Sequence, residues 1–116
     1  MTERVGIAKA VFTIGEGNTQ PTIRATLRDG SLAPLDLAAV NFRMKSMNTG
    51  LTVINAAATV ITPGAADGRV EYEWQAGDTD EWGWMEIQWQ CVLVTGGGIT
   101  VPNFGGDPLY ISQAIV

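Results

Sequence analysis

Histidine is absent from the 116 residues, cysteine occurs once, and only 16% of the chain is charged. Without histidine there is no imidazole to act as base in a Ser-His-Asp or Cys-His nucleophile system, and zinc loses all but one of its preferred soft ligands. The phosphate-cradling pattern G-x-x-x-x-G-K followed by Ser or Thr is missing. Gly15-Glu16-Gly17 lacks the third glycine and following helix of a dinucleotide site, so these glycines read as turn residues. The lone Cys91 can form no internal disulfide, and its position on an apolar face reads as a small, inert, buried hydrophobe. Basic residues are also scarce. Seven against twelve acids give a net charge of −5, which argues against a phosphate backbone as partner, because nucleic-acid binding relies on a basic stripe that releases counterions. No apolar run reaches membrane-spanning length, and the opening MTERVGIAKAVFTIG carries charges early and no signal-peptide core. Synthesis and folding in a cytoplasm are expected.

What is abundant is alternation. In the segment from Gly68 to Leu93, Val70, Tyr72 and Trp74 share one side of a strand while Glu71, Glu73 and Gln75 share the other. Met85, Ile87, Trp89, Cys91 and Leu93 repeat the device against Glu86, Gln88 and Gln90. With 46% hydrophobic residues and four tryptophans, the chain has enough side-chain volume for one core without disulfides or metals, and its length suits a single domain over residues 1–116, with 1–9 as an extended arm. The charge is uneven. Arg4, Lys9, Arg24, Arg28, Arg43 and Lys45 stand early and Arg69 alone stands late, so early basic strands are expected to pair across a sheet with late acidic ones.

In chain order, Ala8, Ala10, Phe12 and Ile14 alternate up to the turn at Gly15 to Asn18. Pro21 opens a second strand in which Ile23, Ala25 and Leu27 share a face. Asp29-Gly30 begins a loop, and Asp36 to Ala39 suggests one helical turn. Val40, Phe42 and Met44 then point inward from a third strand. The β-branched run from Leu51 to Thr62 reads as one strand with a bulge or as two short strands. Gly96 to Gly98 turns the chain into Ile99-Thr100-Val101, the segment Pro102 to Pro108 interrupts the ladder, and Leu109 to Ser112 forms the last strand. About seven short strands, turns between them and no amphipathic helix predict an all-β fold, an immunoglobulin-like antiparallel β-sandwich.

The order of these elements carries a resemblance. FTIGEGNTQPTIRATLRDGSLAPLDLAAVNFRMKS contains a G-x-T-x-P element, an A-T-L strand, a P-x-D-L loop and a V-x-F-x-M strand. The later GRVEYEWQAGDTDEWG contains a G-R-V-x-Y-x-W strand and the corner Gly77-Asp78-Thr79. Over about residues 10 to 112 the chain resembles the amino-terminal domain of phage baseplate upper proteins and related small immunoglobulin-like tailed-phage virion proteins. It departs from that pattern at Met85, where a tyrosine is expected. The resemblance implies a non-enzymatic structural component of a virion, made in the host cytoplasm and placed in the head, neck, tail or baseplate as multiple symmetric copies contacting other virion proteins. Its motifs are structural and imply no catalytic residue, cofactor or metal.

Two clusters invite chemical readings. Asp78, Asp80 and Glu81 offer hard oxygens of the kind calcium takes, or a carboxylate pair of the kind that cleaves glycosidic bonds, but Asp78 and Thr79 are of the types that cap a tight corner through side-chain hydrogen bonds to the backbone. Capping is the expected role. Trp82 and Trp84 fall by alternation on the outer face with Glu86 and Gln88, whereas Trp74 and Trp89 fall in the core. Exposed aromatics mark interface anchors or sugar-stacking platforms, unless a bulge at Gly83 turns a ring inward. Trp82 and Trp84, with Asn103 and Phe104 at a Gly-rich tip, are the candidate interface residues. A carbohydrate-binding or host-surface adhesion module is the alternative reading.

Overall fold

The strict alternation from Arg69 to Leu93 does form two strands separated by a corner. The computed structural model describes residues 12–102 and 106–114. Among them the regular elements are strands: β1 (Phe12–Gly15), β2 (Ile23–Thr26), β3 (Leu37–Ser46), β4 (Thr52–Val60), β5 (Arg69–Tyr72), β6 (Gly83–Leu93), β7 (Gly98–Val101) and β8 (Asp107–Ser112). The hydrogen-bonded order is β1-β8-β6-β3-β4-β5-β2, with β7 also on β6. One layer holds β1, β8, β7, β6 and β3, and the other holds β5 and β2. β4 joins them, because its residues as far as Ala58 pair with β3 while Thr59 and Val60 pair with β5. The all-β sandwich is therefore almost closed into a barrel.

Two details, the pairing of β1 and the stretch from Asp36 to Ala39, differ from the sequence reading. The eight strands agree with a reading of about seven, and the final edge is broken in two as expected: β8 pairs with the first half of β6 and β7 with the second. The interruption falls in the Pro/Gly segment expected to break the ladder, and Asn103 and Phe104 lie in it, outside the described residues, as does the arm 1–9. The sandwich is not wholly antiparallel, since β1 runs parallel to β8, with Phe12 opposite Leu109 and Ile14 opposite Ile111. Alternation tells which face a residue takes but not which strand lies beside it, and the chain leaves β1 for the opposite layer before it forms β2. The helical turn expected at Asp36 to Ala39 is extended chain instead. Leu37 is buried and starts β3 opposite Leu93, and a register shift before Ala39 absorbs the irregular pattern. Leu51 to Thr62 yields the single strand β4, with a register shift opposite Met44 and Lys45, the first of the two alternatives expected for it.

The core follows the alternation closely. Val70, Tyr72, Trp74, Met85, Ile87, Trp89 and Cys91 are all buried, as are Val40, Phe42 and Met44 on β3. Phe42 is fully enclosed at the centre. Its ring stacks on Tyr72 with centroids 4.6 Å apart and meets Trp89 and Trp74 edge-on at 4.9 and 5.7 Å. Phe42 and Trp89 belong to one layer, and Tyr72 and Trp74 to the other, so this aromatic cluster joins the two.

Backbone proximity makes one glycine indispensable. Gly68 has φ of +69°, and a Cβ there would lie 2.3 Å from the carbonyl oxygen of Leu27. The same glycine accepts the Leu27 N–H at 2.8 Å. Gly96 has a similar positive φ but open space around it. Gly68→Ala is expected to lower unfolding stability by about 2 kcal/mol or more, against roughly 1 kcal/mol for Gly96→Ala, where only the left-handed conformation is penalised. Urea denaturation of the two variants measures the difference, and equal losses would contradict the close packing of Gly68.

Candidate interaction face

The corner between β5 and β6 organises the neighbouring loops before it presents any surface. One Asp78 carboxylate oxygen accepts the Tyr72 hydroxyl at 2.6 Å and the Gln75 N–H at 2.8 Å. The buried Thr79 hydroxyl donates to the Asn18 carbonyl at 2.7 Å, and its own carbonyl accepts the Gly17 N–H at 3.0 Å. Glu81 accepts the hydroxyl of the fully buried Ser46 at 2.7 Å, and Ser46 in turn accepts the N–H groups of Asn48 and Thr49 in the β3–β4 turn. Asp78 and Glu81 thus bind protein donors, and Asp78 and Thr79 make the expected side-chain hydrogen bonds to backbone groups. Among the described residues no group of three His, Cys, Asp or Glu side chains is arranged to hold a metal.

These links position the start of β6. Gly83, at φ +125°, faces Asn48, whose amide nitrogen would lie 3.0 Å from an added Cβ. The backbone then turns into the ladder with Trp84 outward. Trp82 and Trp84 are 45% and 49% exposed, so neither ring is drawn into the core. Trp84 stands opposite Tyr110 in the β6–β8 register, and their rings lie 4.9 Å apart at 50°. On its other side the Met47 N–H donates to the Trp84 carbonyl at 3.0 Å, which extends the β3–β6 ladder by one residue, and Met47 is itself exposed. Met47 and Tyr110 were not singled out from the sequence. The parity of Arg43, Lys45 and Met47 places Met47 outward, but only strand order sets it and Tyr110 on either side of Trp84.

Below this apolar row the outer face becomes polar. Lys45 and Glu86 are register partners and form an ion pair at 3.6 Å. Arg43 and Gln88 come next, and the four residues line an open depression of about 280 Å³. Asn41 donates to Asn55 at 2.5 Å and to Gln90 at 3.4 Å, continuing the polar ladder. On the opposite layer Arg24 and Glu71, also register partners, pair at 2.9 Å. The expected meeting of early basic with late acidic strands therefore occurs in both layers. Exposed pairs of this kind add at most about 1 kcal/mol each, so they fix register more than stability.

No match to a known protein family, to a curated protein or to a solved structure is found for this chain.

Two buried groups titrate abnormally. Burial, followed by the hydrogen bond to the Asp78 carboxylate, pushes the Tyr72 phenol well above its ordinary range. Burial alone pushes the Cys91 thiol up to about 11. Both shifts favour the protonated form in the folded state. The stability they contribute is complete below the unfolded-state values and is lost as pH rises from those values toward the folded ones. Urea midpoints are expected to fall progressively above about pH 9, where an unfolded cysteine ionises, and more steeply above about pH 10, where an unfolded tyrosine follows. Tyr72→Phe is expected to lower stability near neutrality by about 1 kcal/mol through the lost hydrogen bond and to flatten the alkaline decline. An unchanged alkaline slope in that variant would refute the assignment to Tyr72.

Proposed function

We propose that this chain is a non-enzymatic assembly protein, a structural component of a tailed-phage particle that acts through contacts with other virion proteins. The observation that carries the reading is the row Met47, Trp84 and Tyr110 on a hydrogen-bonded sheet, an apolar and aromatic strip in which Met47 and Trp84 are exposed and Tyr110 is half-buried. Exposing half of a tryptophan to water forfeits hydrophobic stabilisation, and rigid aromatic anchors of this kind concentrate binding energy at interfaces. The phage assignment rests on the resemblance in sequence motifs from the G-x-T-x-P element to the Gly77-Asp78-Thr79 corner. Trp82, in the loop leading into β6, is a second candidate contact beside the strip.

Mass spectrometry of purified particles from cells carrying the gene is expected to find the chain at many copies per particle. Trp84→Ala is expected to reduce its incorporation by about tenfold or more, the loss typical of an interface anchor, while the melting temperature of the isolated protein changes little because Trp84 lies outside the core. Particles that lack the wild-type chain would overturn the virion reading. Normal incorporation of the variant would remove Trp84 from the interface.

A further inference from the structure

We propose that the outer face of the β3–β6 pair binds a second copy of this chain through a two-fold axis running along the strands between β3 and β6; the proposal rests on the assembly reading and names one of its partners. Such an axis brings each residue of β3 opposite its own register partner in the other copy. The register makes this arrangement self-complementary. Lys45 of one copy faces Glu86 of the other, and Met47 faces Trp84. Because Lys45 and Glu86 already pair at 3.6 Å within each copy, the four charges form a closed square of alternating sign. Isologous contacts need a patch that carries its own complement, and this row does so while the apolar row beside it, at the end of the face, supplies hydrophobic area.

Charge permits this face. The chain has a net charge of −5, so two copies repel over most of their surfaces. Along the outward rows of β3 and β6, Arg43 and Lys45 outnumber the single acid Glu86. Size also permits it. At about 3.3 Å per residue and 4.8 Å between strands, the eleven-residue β6 with its neighbours presents roughly 35 by 20 Å. Its side-chain relief brings the accessible area near the ~800 Å² per partner of a stable complex. Aligned sheets pack at about −30°, so register is kept best beside the axis, which is where Lys45 and Glu86 stand.

The test is charge reversal on the intact chain, read by sedimentation and light scattering at micromolar concentration and low salt. The wild type is expected to show twice the 12.4 kDa chain mass and to dissociate as salt is raised. Lys45→Glu and Glu86→Lys each place like charges opposite each other and are expected to associate about tenfold or more weakly. An equimolar mixture of the two variants restores opposite charges across the axis although the ion pair within each copy stays broken, and is expected to recover the dimer as a heterodimer. Circular dichroism confirms that each variant is folded. A wild type that stays monomeric, or a mixture of folded variants that stays monomeric, would overturn the proposal. Neither result touches the particle assay: a chain found in particles yet monomeric here defeats only this contact, and a dimer absent from particles defeats only the virion reading.

Discussion

The enclosed ring of Phe42 is the constraint on which the structure turns. It sits on the most central strand, β3, which is hydrogen-bonded on both edges, and it touches aromatic rings from both layers. Aromatic pairs in offset or edge-on geometry add about 0.5–1.5 kcal/mol each beyond the area they bury, so the cluster fixes the relative placement of the layers as well as excluding water. The polar ends of the two rings in the second layer are satisfied too. The Trp74 indole N–H donates to the Pro21 carbonyl at 3.0 Å and the Tyr72 hydroxyl to Asp78, so burying these large side chains leaves no donor without a partner.

The interaction face depends on that core through the β5–β6 corner. Tyr72 holds Asp78, Asp78 holds the turn at Gln75, Thr79 holds the β1–β2 loop, and Glu81 holds Ser46 at the end of β3. Ser46 is adjacent to Met47, and Gly83 is adjacent to Trp84. The strip therefore begins one residue beyond the part-buried hydrogen bonds centred on Ser46. Of the acids that looked like metal ligands or catalytic carboxylates, Asp78 and Glu81 serve this scaffold.

Charge has a comparable division of labour. Two of the early basic residues, Arg24 and Lys45, find acids on neighbouring strands, while the remaining acids keep the net charge negative. This leaves the outer face of β3 and β6 relatively free of the acidic excess, and the one polar depression there is lined by residues of both signs.

How much of this was legible in the sequence follows from the range of each physical cause. Period-two alternation is local, and it assigned Phe42, Trp74, Trp89 and Cys91 to the interior, because a side chain's face is decided by its own strand; for Trp82 and Trp84 it left an inward turn at Gly83 open, and the structure leaves both rings exposed. The interruption at Pro102, with no N–H to donate, was equally local. The parallel union of β1 with β8, the extension of β3 back to Leu37, the transfer of β4 between layers, and the meeting of Met47, Trp84 and Tyr110 were not. Each depends on which distant segment supplies the hydrogen-bonding partner, and backbone N–H and C=O groups are alike in every residue but proline. The amino-acid sequence determined which side chains are buried; only the tertiary structure decided which strands are neighbours, and hence which exposed residues share a surface.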